Sequence, residues 1–133
     1  MPDLLYEREL KPLGAADELQ NLGLRVEALD GAGVAVAIGY QRRRRELSLP
    51  DSFALALAKT NGWRLLTGDR ALRELAAGEL VDCHGVLWLL DRMLEEGTVN
   101  RHALREGLQT ISTHPRCRLP RAEVRKRLVA WEA

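Results

Sequence analysis

Two aspartates, Asp51 and Asp69, are the residues of this 133-residue chain whose types and spacing best support chemistry. Ser48-Leu49-Pro50 precedes the first and Thr67-Gly68 the second, and they stand 18 positions apart. Carboxylates gathered at one oxygen-rich site call for a hard divalent ion, Mg2+ or Mn2+. Such an ion lowers the pKa of a bound water and offsets charge on a phosphoryl group. Each acid also has a purely structural use. Asp51 can complete a capping box with Ser48, and Asp69 can cap the helix that follows it. The metal reading rests on the pair.

The elements around them decide whether the pair can meet. Ser48 and Pro50 are helix-start signals, and the body that follows (Phe53-Ala54-Leu55-Ala56-Leu57-Ala58) is apolar on nearly every side, as in a buried helix. Asn61-Gly62 ends it. Residues 63–67 read as a short buried strand, Gly68-Asp69 opens a helix that stops at Gly78, and residues 81–86 read as another strand. Helix, strand, helix, strand with short connections implies parallel strands. Ligands of such a sheet bind beyond the carboxyl ends of the strands, where Asp69 lies directly and Asp51 lies by virtue of its antiparallel helix.

Upstream, helices are expected at 2–11 and 15–22, a strand at 24–29, and a helix at 33–44 after Asp30-Gly31. Downstream the chain reads as helical. The expected helices cover 86–95, 101–112 and a last one from about Leu119-Pro120 that buries Val124, Leu128 and Trp131. Trp63 and Trp88 likewise read as packing residues, and His84 as a turn or core residue.

Composition is that of an ordinary globular domain, 46% apolar and 29% charged. No apolar run approaches the roughly 18 residues of a membrane span, and no signal-peptide pattern is present, so a cytoplasmic protein without membrane contact is expected. Cys83 and Cys117 suggest neither a disulfide framework nor a zinc site. The net charge of +1 conceals a bias. Residues 101–133 hold eight Lys or Arg against three Glu, a balance of +5, and the preceding hundred residues carry −4. A second basic cluster is Arg42, Arg43, Arg44 and Arg45. Basic patches beside an acidic site suit a polyanionic substrate, although a solvated helix face has the same composition.

The stretches LSLPDSFALALA (47–58), LLTGDRALR (65–73) and His84-Gly85-Val86-Leu87, in this order and spacing, resemble the second half of a PIN domain of the bacterial and archaeal toxin–antitoxin type. The resemblance covers residues 2–95, and more weakly the last two helices. It implies a three-layer α/β fold with a short parallel sheet over residues 1–95, and a helical extension packed on it over residues 96–133. It also implies hydrolysis of RNA by Mg2+ or Mn2+ held on acids. By position, Asp51 and Asp69 match the family's third and fourth acids. In Pro2-Asp3-Leu4-Leu5-Tyr6-Glu7-Arg8-Glu9-Leu10, Glu9 matches the second, with Glu7 as its substitute, and Thr67 would be a supporting hydroxyl. Arg42, Arg43, Arg44 and Arg45, together with the basic tail, would lie near substrate phosphates.

The family's first strand and first acid have no counterpart here, so the PIN-like part is expected to be incomplete at its N-terminus. An open strand edge is then expected, which favours a homodimer. Two functions follow from the resemblance: a ribonuclease acting as the toxin partner of an antitoxin protein, or a catalytically impaired relative serving as an oligomerising or partner-binding module.

Overall fold

The computed structural model describes residues 1–132 apart from Ala15. Ala133, the last residue of the expected extension, and Ala15, the first of the helix expected at 15–22, lie outside the described residues. The chain divides into two compact units, Met1–His84 and Gly85–Ala133.

In the first unit, helix α1 (Asp3–Leu5) continues through a π-helical turn (Tyr6–Leu10) and a 3-10 turn (Lys11–Leu13). Helices α2 (Ala16–Asn21), α3 (Gly31–Arg43) and α4 (Leu49–Asn61) follow, then β1 (Leu65–Leu66), α5 (Arg70–Gly78) and β2 (Cys83–His84). Helix α4 has the signals its sequence promises. The Ser48 hydroxyl accepts from the Asp51 amide at 3.2 Å, Pro50 occupies the first turn, and Gly62 closes the helix at φ 67°. That left-handed conformation suits glycine, which lacks the Cβ that would clash.

The core of this unit joins α3, α4 and α5. Ala37, Leu55, Ala56 and Ala76 have no exposed surface, and Leu47, Leu65, Leu72 and Val81 close around them. Alanines at these positions let α4 approach its neighbours closely, while Leu55 and Leu72 fill the remaining space.

β1 and β2 pair in parallel, Leu65 opposite Cys83 and Leu66 opposite His84, with α5 as the crossover. Both strands are shorter than the expected 63–67 and 81–86. The expected strand at 24–29 is corrected to an extended segment with a single parallel bridge, Pro2 to Glu27. It pairs with the chain start: the Asp3 amide donates to the Glu27 carbonyl at 2.9 Å and the Glu27 amide to the Met1 carbonyl at 2.8 Å. The reason is local. Alternation of side chains makes a segment extended, but a ladder needs a partner, and the helix from Asp3 leaves only the first residues available. Trp63 is also corrected. It is 42% exposed, with the Arg25 guanidinium 5.9 Å above its ring, a cation–π contact and not core packing.

The second unit consists of α6 (Val86–Glu95), α7 (Arg101–Ser112) and α8 (Arg121–Ala130) around Leu104, Leu108, Val124 and Trp131. Asn100 caps α7 by accepting from the Ala103 amide at 2.8 Å. Arg127 grips Asp91 with two parallel bonds of 2.9 and 2.8 Å, fastening α8 to α6. No helix among the described residues is long and apolar enough to cross a membrane.

Two measurements test this packing. Leu55→Ala removes a side chain with no exposed surface and is expected to cost about 3 kcal/mol in urea unfolding. Leu80, by contrast, holds φ 59° with its side chain 91% exposed. Leu80→Gly is expected to relieve that backbone strain and stabilise the fold by about 1 kcal/mol, read from the same unfolding curves.

Candidate metal centre

Helices α4 and α5 begin at the same edge of the first unit. At their far ends, the Lys59 ammonium of α4 donates to the Glu79 carbonyl that follows α5 at 2.6 Å. At their near ends, the charge of Asp69 acts on Asp51. The two helices therefore run side by side in the same sense, with both positive dipole ends at the acids. This is the edge to which β1 and β2 point their carboxyl ends, as the amide of Thr67 makes its last rung to the His84 carbonyl at 2.9 Å.

Asp69 is fixed from both sides. Its amide donates to the Thr67 hydroxyl at 3.1 Å, and its Oδ2 accepts from the Leu72 amide at 2.9 Å as the cap of α5. The other carboxylate oxygen has no partner among the described residues, and the residue is exposed. Thr67 thus acts on the backbone that carries the acid. Asp51 sits in the first turn of α4, half-buried and without an ion pair among the described residues. Burial pushes its carboxyl above the ordinary aspartate range, the Ser48 hydroxyl draws it down, and the Asp69 charge pushes it up again.

Of the expected site acids, Asp69 acts on the Asp51 carboxyl through its charge. Glu9 is exposed on the π-helical turn and is not among the charges acting on Asp51, and Glu7 pairs with Lys11 at 3.1 Å. No group of three His, Cys, Asp or Glu among the described residues is placed to hold a metal ion. The arginine cluster is split in use. Arg43 pairs with Glu79 and lies 5.2 Å over the Tyr40 ring, and Arg44 pairs with Glu46 at 2.9 Å and Glu74 at 3.1 Å. Arg42 and Arg45 are exposed and have no acidic partner among the described residues.

Two residues with no assigned role join the picture. A cavity of about 630 Å³ is lined by Gly68, Arg70, Arg73, Glu74 and Cys83 among others, next to Asp69 in the chain. Arg70 is held by Glu74 at 2.9 Å, whereas Arg73 has no acidic partner among the described residues. The only sequence signal for them is their place within the TGDRALR motif.

A family model of the PIN domain matches residues 7–133. The chain belongs to the PIN domain family. The match runs through the C-terminal helices, which the motifs alone touch only weakly. No curated protein and no solved structure matches the chain. PIN domains share a nuclease-like fold and generally use divalent metals. The donor set here is compatible with that chemistry: two oxygen-donor carboxylates, neither neutralised by a cation, suit an ion that keeps several waters and binds through one or two carboxylates plus substrate phosphate.

The raised carboxyl of Asp51 gives a sign. The folded protein holds this proton more tightly than the unfolded chain does, so the group favours folding at low pH and loses that advantage as pH rises through its folded pKa. Asp51→Asn is expected to raise the thermal midpoint of the metal-free protein at neutral pH. The gain over wild type should shrink as pH falls through the ordinary carboxylate range, read from thermal melts in EDTA.

Proposed function

We propose that this PIN domain is a divalent-metal-dependent ribonuclease that uses Asp51 and Asp69 to hold Mg2+ or Mn2+. The observation that carries the reading is the place of the two acids at the starts of α4 and α5, without an ion pair among the described residues; burial first, and then the Asp69 charge, raise the Asp51 carboxyl. A divalent ion would relieve the repulsion between two like charges at neighbouring helix starts.

When bound, the ion would supply an activated water and offset the charge that builds on the phosphoryl oxygens. The chain's own part is positioning. Asp69 offers one oxygen while the other stays on the Leu72 amide, and Thr67 fixes the backbone from which it projects. Arg42, Arg45 and Arg73 have no acidic partner among the described residues, and they are assigned to RNA phosphates. Arg43 and Arg44 instead hold α3 to α5 through Glu79 and Glu74. No step is assigned to Glu9, whose match to the family's second acid rests on position alone.

The likeness of 47–58 and 65–73 to toxin–antitoxin PIN proteins supports a toxin role in the cytoplasm, with an antitoxin protein as partner. Homodimerisation is supported by β1, which among the described residues pairs on one side only and leaves Leu66 50% exposed. A second reading makes the chain a catalytically impaired PIN relative that binds partners. It draws on the lack of a three-residue metal cluster among the described residues.

Cleavage of single-stranded RNA with Mn2+ separates the two. The ribonuclease is expected to lose at least about 100-fold of its rate on Asp69→Asn, by analogy with removal of a group that stabilises transition-state charge. Cleavage indifferent to that change, or none by the unaltered chain, overturns the enzyme reading.

A further inference from the structure

The second unit distributes its charges in an uneven way. Its six described acids are Asp91, Glu95, Glu96, Glu106, Glu123 and Glu132, and every one already faces a basic side chain. Those contacts use only Arg92, Arg105, Arg127 and His102. Arg101 at the start of α7 and Arg116, Arg118, Arg121, Arg125 and Lys126 are exposed and have no acidic partner among the described residues. The last five fall within eleven consecutive positions of the α7–α8 turn and α8.

Arg121 opens α8, where a cation meets the positive end of the helix dipole, and Pro120 before it supplies no side-chain cap. The one acid of that turn, Glu123, is committed to Arg127 at 3.1 Å. The five cations therefore gather positive charge around a helix start without an acid of their own. A surface kept only for solubility would interleave acids among them.

Beside these cations lies a cavity of about 500 Å³, lined by Arg121 and Arg125, by His114, and by Pro115, Leu119 and Leu128 among others. The size falls in the range of small-ligand sites. Four of the five cations are arginine, whose planar fork suits phosphate oxygens better than a lysine ammonium does. The apolar side chains of the cavity offer contact area to a base or ribose, which a run of acidic side chains would not use.

We infer that the α7–α8 turn and the start of α8 form a phosphate-binding surface for single-stranded RNA, with Arg121 and Arg125 on the strand's phosphates and the adjoining cavity taking one nucleotide. This surface does not depend on Asp51 and Asp69 acting as metal ligands. It would bind RNA whether or not the chain cuts it.

The test is fluorescence anisotropy of a fluorescein-labelled single-stranded RNA with the whole chain in EDTA, at salt concentrations between about 50 and 200 mM. EDTA keeps metal-dependent cleavage out of the readout. Arg121→Gln/Arg125→Gln is expected to weaken binding at least about 10-fold at low salt. It should also flatten the log–log salt slope by about 1.4, from roughly 0.7 per phosphate contact on a single strand. Arg92→Gln, whose side chain is already on Glu95 and Glu96, is expected to bind as wild type does. Matching circular-dichroism melts confirm that the double variant is folded, and Arg116→Gln/Arg118→Gln supplies a second pair if it is not. Unchanged affinity and slope in a folded pair variant overturn the proposal. Displacement of the labelled RNA by poly-glutamate as effective as by unlabelled RNA also overturns it, in favour of an acidic protein partner.

Discussion

The burial of α4 against α3 and α5 fixes the position of nearly everything else in the first unit. Leu55 and Ala56 are fully enclosed, Ser52 is buried with its hydroxyl on the Ser48 carbonyl, and Ala58 lies against the base of the sheet. A helix that is apolar around most of its circumference has few ways to turn about its axis without exposing carbon to water. Its first turn is therefore set in azimuth as well as depth. Asp51 occurs on that turn, and its half-buried, unneutralised state follows from the packing beneath it.

Much of this was legible from residue types. Ser48, Pro50 and Gly62 bracket α4, Asp69 and Gly78 bracket α5, and Asn100 opens α7, because capping chemistry is local. The parallel pairing of β1 with β2 across α5 was also legible, since strands joined by a short helix run in the same sense. What failed was non-local. Residues 24–29 alternate as a strand does, yet among the described residues they form one bridge, Pro2 to Glu27, because pairing depends on which neighbour is at hand. Trp63 has the composition of a core residue but stands against Arg25, a contact that no periodicity encodes. The roles of Arg42, Arg43, Arg44 and Arg45 were illegible for the same reason, since four identical residues separate into paired and unpaired only through Glu46, Glu74 and Glu79.

The two units also differ in what their ion pairs leave over. In the first, Arg43 and Arg44 tie helices together and acids outnumber bases, with Asp51 and Asp69 among the acids left without an ion pair. In the second, one fork between Arg127 and Asp91 binds the helices and the remainder is positive. The net charge of +1 is a cancellation between these unlike remainders, and says little about either surface.

Asp69 carries a further consequence. An exposed carboxylate ordinarily samples several rotamers, and a ligand that immobilises it must overcome that freedom, on the order of 0.5 to 1.5 kcal/mol for each flexible side chain. Here the bond from the Leu72 amide has already selected one orientation during folding, and the Thr67 hydroxyl has fixed the peptide from which it projects. The entropy of ordering this group belongs to the formation of α5, so an ion arriving at the free oxygen meets a preorganised arm.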